Sequence, residues 1–274
     1  MTEVTERSLE CIANTIRKHV IEMTSCAGSG HPGGSLSSAE LLAVLYFKVM
    51  RHDPSDPKWD GRDKFVLSKG HVAPVLYAAL AESGYFPVDE LKTLRKINSR
   101  LQGHPVKNKT PGVEMSTGSL GQGLSMACGM AMAAKLDKKD TRIFCLMGDG
   151  ELQSGQIWEA AMLAGHYCLE NITAFVDRNH LQITGNTEEA IGLDPLKDKW
   201  KAFRWNVISI NGHNVNEIIE ACESAKGSKK PTVVIMETIK GKGVSFMEGK
   251  ADFHGKACNC DEHKQAMKEL EERK

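Results

Sequence analysis

Arg142-Ile143-Phe144-Cys145-Leu146-Met147-Gly148-Asp149-Gly150-Glu151 and, one crossover later, Ile172-Thr173-Ala174-Phe175-Val176-Asp177-Arg178-Asn179-His180-Leu181 decide how this chain folds. Each stretch opens with a short, continuous apolar run between polar flanks, which suits a strand buried on both faces. Between them, Gln156 to Leu169 carries Ile157, Ala160, Ala161, Ala164 and Cys168 at helical spacing. Strand, helix and strand make a βαβ unit, and such units bind ligands beyond the carboxyl ends of their strands. Asp149 and Asn179 both fall there. Two oxygen-bearing side chains at neighbouring strand ends can share one hard cation. Magnesium takes one or two protein ligands of this kind and completes its octahedron with phosphate oxygens and water. Gly150 lets backbone amides approach a phosphate, and a helix N-terminus downstream favours the anion. Either piece alone reads as a capped turn or an ordinary loop. The spacing across a single crossover is what points to a magnesium–diphosphate site.

The same periodicities extend in both directions. Leu9 to Met23 places Ile12, Ile16, Val20 and Met23 on one helical stripe. Ser37-Ser38-Ala39-Glu40 caps a second helix through about Val49, and Ala73 to Ser83 forms a third. Val88-Asp89 begins another, expected to stop before Gly103. His104 to Thr117, with Pro105, Pro111 and Gly112, has the composition of an ordered surface loop. Gly121 to Lys135 reads as a helix rich in Ala, Gly and Met, a face that allows close packing at an interface. Trp205 to Ile210 and Thr232 to Met236 are expected strands, separated by a helix from Val215 to Ala225. The predicted fold is α/β and three-layered, a mainly parallel sheet flanked by helices in one domain over 1–274. The tail after Asp261 is expected to be a charged, solvated helix at most.

Composition narrows the function classes. Lys and Arg number 35 against 35 Asp and Glu, which leaves no electrostatic case for nucleic acid or an anionic membrane surface. No apolar run approaches the roughly 20 residues of a membrane span, and the polar N-terminus lacks a signal-peptide core, so a cytoplasmic location is expected. The eight cysteines are scattered, and Cys128, Cys145 and Cys168 sit inside apolar segments. They read as reduced core residues rather than a disulfide framework. His254, Cys258, Cys260 and His263 are zinc-ligand types, but Cys-x-Cys is tighter than a finger knuckle and no second pair lies nearby.

The spacing from Gly148-Asp149-Gly150 to Asn179 resembles the thiamine-diphosphate signature, and further motifs resemble those of transketolases in family order. They are Ser29-Gly30-His31-Pro32-Gly33-Gly34, Asp63-Lys64-Phe65-Val66-Leu67-Ser68-Lys69-Gly70-His71, Gly103-His104-Pro105, Gly118-Ser119-Leu120-Gly121-Gln122-Gly123, and Lys240-Gly241-Lys242-Gly243 followed by Phe253-His254-Gly255. The likeness runs from about Glu6 to His254. It implies a thiamine-diphosphate-binding fold with thiamine diphosphate and Mg2+, or Ca2+ or Mn2+ in its place, as cofactors. Asp149, Asn179 and Leu181 would hold the metal. His71, Gly118, Leu120, Gly150, Asn179, Lys240 and His254 would contact the cofactor, with Lys69 in the same cavity.

His31, His71, His104 and His254 each sit in a Gly- or Pro-marked loop rather than on an apolar face. A ketose must lose a proton from its C3 hydroxyl for the C2–C3 bond to break, and imidazoles serve that task near neutral pH. By resemblance all four are catalytic, His31 and His254 facing the C3 hydroxyl, His71 and His104 the C1 hydroxyl and cofactor. The implied reaction is reversible transfer of a two-carbon ketol unit from a ketose phosphate to an aldose phosphate, as in the pentose phosphate pathway.

In transketolases a glutamate from a separate pyrimidine domain activates the cofactor. That domain and the C-terminal domain are expected on a partner chain, giving a split enzyme that is inactive alone and assembles as a heterotetramer with two copies of each chain. Glu159 fits the family's interface acid on the diphosphate-domain helix. Ser154 stands where many members carry a glutamate that links two active sites, and Arg178-Asn179 replaces a pair of asparagines. Alternatives are a ketolase for an unusual sugar phosphate or sulfosugar, and a noncatalytic binding module. A 2-oxo-acid dehydrogenase alpha subunit shares the metal signature, but the Gly-His-Pro loops argue against it.

Overall fold

The computed structural model describes residues 6–273. Its strands are β1 (Lys64–Leu67), β2 (Ile143–Gly148), β3 (Ile172–Arg178), β4 (Leu181–Gln182), β5 (Gly185–Asn186), β6 (Asn206–Asn211) and β7 (Thr232–Glu237). Five form one parallel sheet in the order β1-β2-β3-β7-β6, while β4 and β5 make a two-residue antiparallel ribbon. The helices are α1 (Glu6–Ala27), α2 (Pro32–Leu36), α3 (Ala39–Val44), α4 (Ala73–Glu82), α5 (Gln122–Leu136), α6 (Gly155–His166), α7 (Thr187–Ala190), α8 (Leu196–Ala202), α9 (Val215–Gly227) and α10 (Cys260–Glu272).

The apolar run of β2 divides between two cores because successive strand side chains point to opposite faces. Phe144 and Leu146 join a core built with α1, α3, α4 and α9, whereas Ile143, Cys145 and Met147 join one built with α5, α6 and α8. Neither face of the strand meets water, so its sequence shows no alternation. The result is the three-layer α/β arrangement expected. From β3 the chain runs to the edge strand β6 and returns as β7, which lands beside β3. Gly148 therefore pairs with Asp177, and Arg178 with Glu237, bringing three strand ends to one point.

Several expectations need correction. The helix expected from Val88 toward Gly103 survives only as a 3-10 turn, Val88–Thr93. Arg95 and Asn98 take positive φ, which ends helical winding, and the Arg100–Glu90 ion pair folds the segment back while Leu91, Leu94 and Leu101 stay buried. The helix from Ala39 does reach Val49, but its last turn widens into a π-turn, and Ser38 makes no side-chain cap. Helix α6 stops at His166, short of Leu169, because Cys168 takes φ 46°; that thiol is exposed rather than in the core. All eight cysteines are free. Cys258 is buried and Cys260 exposed, and among the described residues no three His, Cys, Asp or Glu gather to hold a metal. No helix among them is long and apolar enough to cross a membrane.

The tail is not a solvated helix. Helix α10 starts with a capping box between Asn259 and Glu262 and packs on α1 through Ala266 and Leu270, both fully buried. Its expected solvation came from a charge-rich composition that hides a stripe at spacing i, i+4. Asn14 fastens it further by donating Nδ2 to the Leu270 carbonyl at 2.7 Å. A second fastening lies in the core, where Arg17 clasps Glu40 with its guanidinium at 2.5 Å. Burial pushes the Glu40 carboxyl up, but Arg17 and His213 together outweigh it and hold it at about 2.

Both fastenings have measurable weight. Leu270→Ala should lower unfolding free energy by about 2–3 kcal/mol, the range for a truncated buried leucine; a cost under about 0.5 kcal/mol in urea titration would mean the tail is solvated after all. Because the folded Glu40 value lies below its ordinary 4.5, its contribution is complete above about 4.5 and lost as pH falls through about 2. Glu40→Gln should therefore cost about 3 kcal/mol at pH 7 and flatten the stability profile across that window, as urea unfolding at stepped pH would register.

Candidate active site

Asp177 ends β3 with no solvent exposure. Its Oδ2 accepts from Lys69 Nζ at 2.5 Å, Ser37 Oγ at 2.7 Å and Asn179 Nδ2 at 3.0 Å, and its Oδ1 accepts from Thr238 Oγ1. Lys69, also buried, donates in addition to Ser38 Oγ at 2.8 Å and to the Gly34 carbonyl at 3.2 Å. Burial alone would raise the Asp177 carboxyl; Lys69 and the hydroxyl donors hold it below the ordinary range. The bond from Asn179 Nδ2 settles that amide's orientation, turning its oxygen away from Asp177. That oxygen accepts the Leu181 amide at 3.1 Å.

Asp149, at the exit of β2, accepts the Gly150 amide on Oδ1 at 2.8 Å and the His180 amide on Oδ2 at 2.6 Å. His180 takes φ 62°, the turn that leads the chain from Asn179 into Leu181. Burial, then the charge of Asp177, pushes the Asp149 carboxyl up. The Gly150 and His180 amides oppose this, and then Arg178, whose guanidinium lies 3.6 Å from Asp149 but 2.8 Å from Glu188. A carboxylate, an amide oxygen and the Leu181 carbonyl thus line the cavity as an all-oxygen set, a donor chemistry that fits a hard divalent cation. Lys240 donates Nζ to the Leu181 carbonyl at 2.9 Å.

A cavity of about 270 Å³ opens over these strand ends, walled by Lys69, His71, Leu120, Asp149, Gly150, Asn179, Leu181, Lys240 and His254 among others. The imidazoles cluster beside it. Ring centroids lie 5.0 Å apart for His71 and His254, 5.2 Å for His31 and His71, and 5.6 Å for His31 and His254; His104 stands 6.4 Å from His31. Two glycines permit this. A Cβ on Gly118, whose φ is +136°, would lie 2.5 Å from the His104 ring, and one on Gly33 would lie 2.8 Å from the Phe253 carbonyl. Only a bare backbone lets the segment carrying His254 lie against α2, behind His31.

Burial is the main force on these rings. It lowers His31 and His254 to about 4 and His71 to about 2, with Arg95 adding most to the effect on His31, Lys240 on His254 and Lys69 on His71. His104 is lowered too, by burial and then Arg95. The imidazoles are therefore neutral at pH 7. Lys240 Nζ stands 2.9 Å from His254 Nδ1; an ammonium only donates, so Nδ1 accepts and Nε2 carries the ring proton. His31 Nδ1 is buried without a hydrogen-bond partner among the described residues, as is Gln182 Oε1.

Of the nominated site residues, Lys69, His71, Leu120, Asp149, Gly150, Asn179, Leu181, Lys240 and His254 line the cavity, while His31 and His104 join it through the ring cluster and Gly118 lies against the His104 ring. Glu159 is exposed on α6, away from the cavity wall, and Ser154 lies where a Cβ on Gly121 would come within 2.5 Å of its hydroxyl. Sequence reasoning missed two buried acids. Asp177 was detectable as a lone carboxylate closing an apolar strand. Glu151 accepts Ser68 Oγ at 2.5 Å and the amides of Gly121 and Gly148 at 2.9 and 3.0 Å, tying three loops together; nothing in its spacing announces that.

A family model described as transketolase, thiamine diphosphate binding domain, matches residues 8–272. The chain is 50% identical over 260 residues to a 6-deoxy-6-sulfo-D-fructose transketolase subunit of Clostridium sp. (strain MSTE9), covering 94% of each. It is 44% identical to an apulose-4-phosphate transketolase subunit of Phocaeicola vulgatus, over 97% of this chain and 95% of that one. The transketolase structure of Campylobacter jejuni superimposes with a TM-score of 0.91 at 39% identity, over 96% of this chain but only 42% of that one. With these likenesses, and with the signature residues assembled at the strand ends, the chain belongs to the transketolase family and carries its thiamine-diphosphate-binding domain.

Proposed function

We propose that the chain is the diphosphate-binding subunit of a two-subunit transketolase, transferring a two-carbon ketol unit between sugar phosphates. The observation that carries this is one cavity shared by an all-oxygen cation set and a cluster of neutral imidazoles. The names of two relatives support the subunit reading: both are transketolase subunits, and this chain covers 94% and 95% of them. The pyrimidine-binding and C-terminal domains would come from a partner chain, in a cytoplasmic heterotetramer with two copies of each chain.

Bound thiamine diphosphate would supply the nucleophilic carbon and the electron sink for the two-carbon fragment. Asp149, Asn179 and the Leu181 carbonyl would hold Mg2+ against its diphosphate, with Lys240 and the Gly150 amide facing the phosphate oxygens. His71, Gly118 and Leu120 would border the rest of the cofactor. At the sugar, His31 would accept the C3 hydroxyl proton through a ring that burial keeps unprotonated. His254, its Nδ1 occupied by Lys240, would present Nε2–H as a donor. His71 and His104 would orient the C1 hydroxyl.

The donor sugar has a second reading. The relative at 50% identity acts, by name, on 6-deoxy-6-sulfo-D-fructose, which favours a sulfosugar over a common ketose phosphate. Mixing the purified chain with its candidate partner and offering both donor types would decide. Ketol transfer in neither case, despite cofactor binding, would leave a noncatalytic binding module.

Asp149→Ala should abolish magnesium-dependent retention of thiamine diphosphate, a loss larger than the roughly 10–100-fold typical of an outer-shell partner; unchanged affinity by calorimetry would remove the metal assignment. For His254→Ala, turnover should fall by about 10²–10⁴-fold, the usual weight of a proton-transfer group, while magnesium-dependent cofactor affinity stays within about threefold. Wild-type kinetics across several donors would make this histidine purely structural.

A further inference from the structure

The loop between β6 and α9 carries a histidine that touches nothing in the cavity. His213 is nearly buried, and both ring nitrogens are engaged. Nδ1 lies 3.2 Å from Glu40 Oε2, and Nε2 accepts the backbone N–H of Ile239 at 2.9 Å. A carboxylate on one side and an N–H donor on the other fix one neutral tautomer, with the proton on Nδ1. The loop has little freedom to place the ring elsewhere. The Gly212 amide donates to the Glu237 carbonyl at 2.9 Å, the His213 amide to Asn211 Oδ1 at 3.0 Å, and a Cβ on Gly212 would lie 2.5 Å from Thr238 Cγ2.

Ile239 immediately precedes Lys240. The side chain of Lys240 spans the two halves of the cavity, from the Leu181 carbonyl to His254 Nδ1, so its reach depends on where the backbone at 239–240 lies. On the far side of the ring, Glu40 is clasped by Arg17, whose Nε also donates to the Leu36 carbonyl at 3.2 Å, at the end of α2 behind His31. The charged groups facing His213 are thus Glu40 from α3 and, through it, Arg17 from α1. Glu10, Lys18 and Arg273 line the same cavity of about 360 Å³ beside them. A side chain without an acceptor at the Nε2 position would leave the Ile239 N–H without this partner, and the peptide would lose its anchor.

We propose that His213 is a positioning residue for Lys240, holding the peptide before it through the Ile239 amide, so that losing the acceptor at Nε2 weakens diphosphate binding. This rests on the reading that Lys240 faces the diphosphate. Glutamine can place an amide oxygen where Nε2 stands, whereas asparagine reaches only the Nδ1 position. The test is calorimetric binding of thiamine diphosphate with magnesium at pH 7.5 to the chain assembled with its candidate partner.

His213→Gln should bind within about twofold of wild type, while His213→Asn should be about fivefold weaker, one hydrogen bond's worth. Wild-type affinity in His213→Asn, or a loss in His213→Gln as large as in His213→Asn, would overturn the proposal. Hydrogen exchange gives a second readout that global destabilisation does not mimic. Protection of the Ile239 amide, referred to Val233 within the sheet, should fall in His213→Asn and be kept in His213→Gln, and equal protection in both variants and wild type would sink the idea. Wild-type protein that takes up no thiamine diphosphate with its partner present would count against the site reading instead, with the exchange result still deciding the role of His213.

Discussion

A carboxylate without solvent exposure at the end of a buried strand must be compensated, and the compensation of Asp177 organises this molecule's site. Removing an ion from water costs several kcal/mol, recovered only with a partner charge and enough hydrogen bonds. Lys69 supplies the charge, and Ser37, Thr238 and Asn179 supply the bonds. These residues come from the exit of β1, the α2–α3 junction, the exit of β7 and the turn after β3. One buried charge therefore ties together the segments that carry His71, His31, Lys240 and Asn179. It also sets the Asn179 amide, so that the candidate metal ligand's oxygen faces away from the carboxylate.

Electrostatics divides the cavity into two halves. On one side, burial and a neighbouring carboxylate push Asp149 up. On the other, burial and nearby cations push the imidazoles down, so the rings are neutral at pH 7. Lys240 joins the halves, one donor on each, and burial lowers it to about 8. Its placement controls both the Leu181 carbonyl and the His254 tautomer. That is why the backbone support behind it, from His213 through Ile239, matters to a site that the imidazole never enters.

Much of this was legible in the residues themselves. Continuous apolar runs at 143–147 and 172–176 announced doubly covered strands, and Gly-Asp-Gly with Asn179 announced what lay at their ends. The histidine loops stood out because glycine and proline mark turns rather than helix faces. Less was visible where local and tertiary forces differ. Val88 onward has helix-compatible residues, yet the Glu90–Arg100 pair and the burial of Leu94 and Leu101 fold it back. The tail after Asp261 is charged enough to suggest solvation, but two apolar residues four apart suffice to dock it on α1.

The sequence by itself determined the parallel α/β layering, the position of the strand ends and the identity of the groups that converge there, because strand burial and turn chemistry are local properties of residue type. Only the tertiary structure decided how those groups are charged and aimed. Neutral imidazoles, a carboxylate pushed up by burial and the orientation of Asn179 depend on desolvation and on partners such as Lys69, more than 100 positions from Asp177 in the chain. Such forces act through space, and no spacing along the chain encodes them.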